Sequence, residues 1–204
     1  MNPQQILTDL LGVFLALTPE DLMTLIHAHQ TGITPQGDLV SVSLPGFEDA
    51  NDSVTAGSPI ALVADTWTSL TNDAGGGFSN TAYLPSGITS LFNGTTGKID
   101  PTQLALGEAI LVRNDFTITP NVNGAFAEFQ YTLGTGGNAY TLPVPLGTLS
   151  NGGGIPYRFQ FTDLIYMGDT NTRDNEIGLQ VRCSEEGSVV NAGSAVWSLR
   201  RTTL

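Results

Sequence analysis

Residues 125–133 of this 204-residue chain read AFAEFQYTL, and they decide its fold class. One set of alternate positions is entirely apolar or aromatic: Ala125, Ala127, Phe129, Tyr131 and Leu133. The positions between them hold Phe126, Glu128, Gln130 and Thr132. Because successive side chains of a β-strand point to opposite faces of the sheet, this alternation predicts a strand with one buried face.

Short runs of the same kind occupy the rest of residues 38–204, separated by Gly, Asn, Asp and Pro. We predict further strands at residues 39–44, 60–70, 109–113, 116–119, 139–143, 157–166, 178–184 and 195–200. Residues 71–97 and 147–154 are predicted to be loops. No helical pattern lies between the strands, so the predicted fold class is mainly β, an antiparallel β-sandwich or jelly roll spanning residues 38–204.

The first 37 residues have a helical pattern instead. Apolar residues between positions 3 and 17 recur at three- and four-residue spacing, which predicts a helix with a wide apolar stripe. Thr18 and Pro19 form a helix-start signal and Gly32 a stop signal, so a second helix is predicted to end near Gln30. We predict that this helical hairpin is an anchor or oligomerisation segment, with these interface residues: Leu7, Leu10, Leu11, Phe14, Leu22, Leu25 and Ile26. Its apolar surface must be buried on the β domain, on copies of itself or on another protein.

The charge balance excludes one class of partner. The chain has 19 acidic and 7 basic residues, a net charge of -12, and no basic residue before Lys98. Free nucleic acid is therefore not an expected ligand, since phosphate backbones are bound by clustered cations. No apolar run is long enough to span a membrane, and the start of the chain lacks the basic region of a signal peptide. Because Cys183 is the single cysteine, a disulfide framework is excluded, and we expect its thiol to be buried and inert. We also expect the protein to be made and folded in a reducing cytoplasm.

Motifs for cofactors and catalysis are incomplete. The residues 94-GTTGK-98 lack the Walker spacing and predict a β-turn, and 134-GTGGN-138 predicts a hairpin loop. His27 and His29 are the only histidines, and on a helix they would lie on different faces, which excludes a shared metal ion. Because no histidine follows residue 29 and no Gly-x-Ser-x-Gly motif is present, a Ser-His-Asp site in the β domain is not expected. The residues 169-DTNTRD-174 only partly match a calcium loop. We therefore predict no catalytic residue, no metal and no cofactor.

Aromatic residues are the remaining candidates for recognition. Phe78, Tyr83 and Phe92 fall within the predicted loop 71–97 and would form a recognition surface there. Trp67 and Trp197 lie in alternating strands, where an aromatic side chain is expected to be part of the core.

The sequence also resembles a known class of proteins. The runs 112-VRNDFTITP-120 and 164-LIYMGD-169, followed by 179-LQV-181 and a last strand from Ser194, resemble virion proteins of tailed bacteriophages. The resemblance is to their trimeric jelly-roll modules, of the tumour-necrosis-factor and C1q type, in head fibres, decoration proteins and tail fibres. It implies a non-enzymatic virion protein, made in the host cytoplasm, that forms a homotrimer and docks on the capsid or tail through its N-terminal segment.

Two other functions stay open at this point. A receptor- or carbohydrate-binding module of a tail fibre would use loops 71–97 and 147–154 to bind a host-surface glycan. A carboxylate-based glycoside hydrolase would need two acidic residues about 5 to 9 Å apart in a groove. The acidic residues available for such a pair are Asp163, Asp169, Asp174, Glu176, Glu185 and Glu186.

Overall fold

A computed structural model of the protein describes residues 46–199. Within these residues the chain forms twelve β-strands and a one-turn α-helix, α1, at Thr170–Arg173. The strands are β1 (Gly46–Asn51), β2 (Ile60–Leu62), β3 (Thr68–Ser69), β4 (Asn80–Tyr83), β5 (Phe92–Asn93), β6 (Lys98–Ile99), β7 (Ala109–Pro120), β8 (Ala125–Leu133), β9 (Tyr140–Leu149), β10 (Tyr157–Tyr166), β11 (Gly178–Cys183) and β12 (Gly187–Leu199). The predicted helical hairpin and the predicted strand 39–44 lie outside the described residues.

The strands form two antiparallel sheets and one small hairpin. Sheet I has the order β10-β7-β12-β1-β4, with β2 paired to the first part of β12. Sheet II has the order β3-β11-β8-β9, and β5 pairs with β6. From β7 onward the chain passes from sheet I to sheet II and back, and only β8 and β9 follow each other within one sheet. This is a β-sandwich with jelly-roll connectivity, which confirms the predicted mainly β, antiparallel fold class.

The core lies between the inward faces of the two sheets. On β7 every second residue from Ile110 to Pro120 is buried, and on β8 the predicted inward set from Ala125 to Leu133 is buried. Phe116 of β7 stacks on Phe129 of β8 with their ring centroids 5.7 Å apart. Phe161 of β10 meets Phe129 edge-on at 5.1 Å, so aromatic contacts join the sheets near the centre of the sandwich.

Several predicted boundaries are wrong, for local reasons. The predicted strands 109–113 and 116–119 are one continuous strand, β7, because Asn114 and Asp115 continue the ladder. The predicted strand 60–70 is two short strands, since Asp65 adopts a positive φ of 55° in a turn between them. β9 extends six residues beyond the predicted 139–143, to Leu149, and β12 begins eight residues before the predicted 195–200. The predicted loop 71–97 contains β4 and β5, and the predicted loop 147–154 begins inside β9.

Candidate interaction surfaces

The outward side of sheet I carries a row of large apolar side chains that crosses five strands. Cross-strand pairing aligns one residue of each strand, in the order Tyr83, Phe47, Trp197, Leu111 and Leu164. The rings of Phe47 and Tyr83 stack with centroids 5.0 Å apart, and Trp197 lies 6.0 Å from Phe47. Leu199 and Tyr166 flank Ala109 in the neighbouring row. We call these seven large residues the apolar face. Tyr83, Leu164 and Tyr166 are each 59% exposed.

Arg113 is the cation next to this row. Its guanidinium carbon lies 5.9 Å from the centroid of the Trp197 ring, a cation–π contact. Its Nη2 lies 3.7 Å from a carboxylate oxygen of Asp49, which is an ion pair but is too long for a hydrogen bond. Its Nε is buried and has no hydrogen-bond partner among the described residues. The guanidinium therefore keeps a donor that this part of the chain leaves unused.

A second apolar surface lies where both sheets end on the same side of the sandwich. β9 is the last strand of sheet II and β10 is the last strand of sheet I. Their inward side chains are only partly covered, since no further strand follows, and we call them the apolar edge: Leu142, Val144, Leu146, Phe159 and Phe161. Pro143 and Pro145 remove two backbone donors from β9, which limits the addition of another strand there.

Asp163 brings a carboxylate into the apolar edge. It lies on β10 between Phe161 and Ile165 on the inward side, and it is half-buried. One of its oxygens accepts a hydrogen bond of 2.9 Å from the hydroxyl of Tyr131. Burial, followed by the charge of Asp163, raises the pKa of Tyr131, so this hydroxyl stays protonated and remains a donor.

Three of the other acidic residues that might have formed a catalytic pair, Asp169, Asp174 and Glu176, hold separate pieces of local structure, whereas Glu185 and Glu186 are exposed. Asp169 caps α1 by accepting a hydrogen bond of 2.7 Å from the backbone N–H of Thr172, which lowers the pKa of Asp169. Glu176 accepts a hydrogen bond from Asn93, and Arg173 pairs with Asp174. Among residues 46–199 no three His, Cys, Asp or Glu side chains come together as a set that could hold a metal ion.

A shallow pocket of about 170 Å³ is lined by Asp52 and Asp73 together with the turn 94–97. Both carboxylates are occupied by the chain itself. Asp73 accepts hydrogen bonds from the hydroxyl and the backbone N–H of Ser53 and from the N–H of Gly75, which lower its pKa to about 2. Asp52 and Asp73 thus stabilise the loops around this pocket.

The structure places the three predicted recognition residues in different environments. The prediction that Phe92 lies on a recognition surface is wrong, because Phe92 is 5% exposed and belongs to the core. Phe78 is 86% exposed in the segment before β4. Tyr83 is exposed but lies in β4, stacked on Phe47, rather than in a loop. The predicted anchor residues, from Leu7 to Ile26, lie outside the described residues.

The expectation that both tryptophans belong to the core is also wrong. Trp197 points outward in the apolar face, and Trp67 lies under the guanidinium of Arg182, 5.1 Å from the ring centroid, on the outer side of sheet II. Alternation had placed each in a strand-like pattern but could not say which side faced the core. The predicted burial of Cys183 is confirmed, and so is the predicted turn at residues 94–97, which lies between β5 and β6.

Comparisons with known proteins give fold similarity at low identity. No family model matches the chain, and no curated protein matches it. Among solved structures, the Gx strain of infectious bursal disease virus shares 15% identity at a TM-score of 0.46, over 78% of this chain and 33% of that one. The Eiger TNF of S. frugiperda has 10% sequence identity and a TM-score of 0.41, over 78% of this chain and 94% of that one. The PRD1 vertex protein P5 has 14% sequence identity and a TM-score of 0.36, over 80% of this chain and 75% of that one.

The chain thus spans about a third of the length of the infectious bursal disease virus chain. Values this low give no basis for transferring a function from any of these proteins. Within residues 46–199, no helix is long and apolar enough to cross a membrane.

Proposed function

We propose that this protein is a non-enzymatic structural protein of a bacteriophage virion, a head decoration or fibre protein or a tail-associated one. It assembles as a homotrimer and docks on the capsid or tail through residues 1–37. The apolar face is the observation that carries this proposal. The resemblance of residues 38–204 to trimeric jelly-roll modules of tailed phages supports the same conclusion and suggests the virion as its location.

The apolar face favours self-association over a solitary domain. Single exposed apolar residues are ordinary, but a contiguous patch across five strands is typical of a protein interface. Three of its members are more than half exposed, and its centre is a Phe-Trp pair with an arginine beside it. Tyr, Trp and Arg are the residues enriched in the energetically dominant parts of interfaces. A binding role also needs no catalytic group, in keeping with the separate structural roles of Asp169, Asp174 and Glu176.

The mass of the full-length protein in solution tests this proposal. We expect light scattering after size exclusion to give three times the 21.5 kDa of one chain. Leu164→Asp introduces a charge into the apolar face and should give a folded monomer, because a buried unpaired carboxylate is costly. Leu106→Asp is the matched control, since Leu106 is 47% exposed in the segment before β7 and outside the apolar face. A monomeric wild-type protein would contradict the trimer.

Docking through the N-terminal segment needs a separate test. Leu10→Asp or Leu25→Asp should abolish incorporation into particles, because each places a charge in the predicted apolar stripe. The far-ultraviolet circular dichroism of the β domain should not change. Incorporation at the wild-type level with both variants would contradict docking through residues 1–37.

A second candidate function is recognition of a host receptor or surface glycan. Phe78 favours it, because a phenyl ring that is 86% exposed makes almost no contact within the described domain. Phe78→Ser should then lower adsorption to host cells without changing the solution mass. Val63→Ser is the control, since Val63 is 58% exposed in a different turn. Unchanged adsorption for Phe78→Ser would count against this function.

A further inference from the structure

The dipeptide Asn-Gly occurs three times in the chain, at residues 93–94, 123–124 and 151–152. All three copies lie at or within connections between strands. The backbone nitrogen of the glycine in such a pair can attack the side-chain carboxamide of the asparagine, because no Cβ on the glycine hinders the approach. The attack needs a carboxamide that is able to turn and a backbone nitrogen that is not already bound. Local structure therefore decides which of the three pairs reacts.

The carboxamide of Asn93 is held at both ends. Its oxygen accepts hydrogen bonds from the backbone N–H groups of Thr95, at 2.9 Å, and Thr96, at 3.3 Å. Its nitrogen donates a hydrogen bond of 2.7 Å to Glu176. The carboxamide cannot turn toward the nitrogen of Gly94 without breaking these hydrogen bonds. Asn93 is therefore protected from the reaction.

The pair Asn123–Gly124 is protected in a different way. It lies in the turn between β7 and β8, where Asn123 is exposed and its side chain makes no hydrogen bond within the described residues. The backbone N–H of Gly124, however, donates a hydrogen bond of 2.9 Å to the carbonyl oxygen of Leu149. The attacking nitrogen must first leave this hydrogen bond, which lowers the fraction of reactive conformations.

The pair Asn151–Gly152 has neither protection. It lies in the connection between β9 and β10, and Asn151 is exposed. Within the described part of the chain, neither the Asn151 carboxamide nor the backbone nitrogen of Gly152 makes a hydrogen bond. The connection is held on either side of these atoms, because the backbone N–H of Asn151 donates to the hydroxyl of Tyr157 and that of Gly154 donates to the carbonyl oxygen of Pro120 at 2.7 Å. The two reacting groups are thus left available within an anchored loop.

We propose that Asn151 is a site of spontaneous covalent modification. The Gly152 nitrogen loses its proton to solvent base and forms a bond to the carboxamide carbon of Asn151, while the side-chain nitrogen takes up a proton and leaves as ammonia. The product is a succinimide ring. Water then adds to one of the two ring carbonyls and opens the ring, which gives aspartate from one carbonyl and isoaspartate from the other. Water is the only co-reactant, and both products carry one more negative charge than asparagine.

The modification changes the connection between the two sheets in charge and in length. Residues 150–156 read SNGGGIP, so the new carboxylate is the only charged side chain in the connection. In the isoaspartyl product the main chain also runs through the side-chain methylene of residue 151, which lengthens a segment that is bonded to Tyr157 and Pro120. Tyr157 packs against the core, so the lengthening acts on a residue of the sandwich itself. The reaction depends on neither the proposed trimer nor its docking.

Peptide mapping by mass spectrometry tests the site in the full-length protein. The protein is incubated in mildly alkaline buffer made with water enriched in heavy oxygen, because the label enters only the residues that react during the incubation. We expect Asn151 to be converted roughly fivefold to tenfold faster than Asn93 or Asn123, since reaction at either of these must first break a hydrogen bond. Electron-transfer fragmentation should show isoaspartate as well as aspartate. Conversion at Asn151 no faster than at the other two sites would overturn the proposal, and aspartate alone would contradict the ring mechanism.

Unfolding separates the effect of structure from that of the dipeptide. In concentrated guanidinium chloride the hydrogen bonds that protect Asn93 and Asn123 are lost, so the three rates should converge. An equal advantage for Asn151 in buffer and in denaturant would refute control by the fold. Asn151→Gln lengthens the side chain and should abolish the main acidic species that isoelectric focusing detects after incubation. Asn123→Gln is the matched control, since Asn123 is also exposed, and it should leave that species unchanged. Persistence of the species in Asn151→Gln would place the reaction elsewhere and refute the site.

Discussion

The side-chain amide of Asn114 on β7 donates a hydrogen bond of 2.6 Å to the phenolic oxygen of Tyr131 on β8, across the core between the two sheets. Tyr131 in turn donates to Asp163 of β10, and the hydroxyl of Ser194 on β12 bonds to the amide oxygen of Asn114 at 3.3 Å. Four strands are thus joined by one polar chain inside an otherwise apolar sandwich. Such a chain fixes the alignment of the sheets only while all of its members are paired.

Tyr131→Phe should therefore lower the free energy of unfolding by about 1 to 3 kcal/mol, because it leaves the buried Asn114 amide without its acceptor. Urea unfolding followed by tryptophan fluorescence measures the change. Tyr166→Phe, on an exposed tyrosine of the apolar face, is the control and should stay within about 0.5 kcal/mol of the wild type. Equal losses of unfolding free energy for the two variants would contradict a stabilising role for this series of hydrogen bonds.

This polar chain also marks the limit of what the sequence could predict. The alternation of residues 125–133 and 157–166 predicted β8 and β10 with the observed bounds, because period two is a local property. Asn114 and Asp115 are turn-forming residue types, and so they predicted a break that β7 does not have. The partner that holds Asn114 inward lies seventeen residues further along the chain. No local pattern contains that contact.

The candidate surfaces could not be predicted from the sequence, for a related reason. Phe47, Leu111 and Trp197 are far apart in the chain and become neighbours only through the pairing of β1, β12 and β7. Alternation finds two faces for each strand but does not say which one is inside when both hold apolar residues. Phe92 illustrates the opposite error, since a two-residue strand within a long irregular segment has no period to read, yet its side chain is buried.

Gly193→Ala should destabilise the protein by roughly 1 to 3 kcal/mol through backbone strain. Gly193 follows a β-bulge in β12 and has a φ of 127°, which residues with a Cβ rarely adopt. An added Cβ would lie 2.5 Å from the carbonyl oxygen of Ala50 on β1. Urea unfolding measures the effect, and Gly137→Ala is the control because open space surrounds that position. A loss as small as the control's would contradict the strain.

Asp73 should contribute to the acid sensitivity of the protein. Its pKa falls from 3.8 to about 2 in the folded state, chiefly through the Ser53 hydroxyl, so folding favours the ionised carboxylate. This stabilisation is present above pH 3.8 and is lost as the pH falls through about 2. Asp73→Asn should therefore show a smaller decrease in the urea midpoint between these pH values than the wild type. Asp65→Asn, which removes an exposed charge in another turn, should keep the wild-type decrease.

Cys183 should behave as a reporter of unfolding. It is the single cysteine of the chain, and its side chain is fully buried between the sheets. A buried thiol reacts only when the structure around it opens, so an aromatic disulfide reagent should label it slowly in buffer and at once in concentrated urea. Thr66→Cys adds a thiol in an exposed turn and provides the internal control. With that variant, one thiol per chain should react rapidly in buffer and two should react in urea. Rapid reaction of both thiols in buffer would mean that β11 opens readily in the native protein.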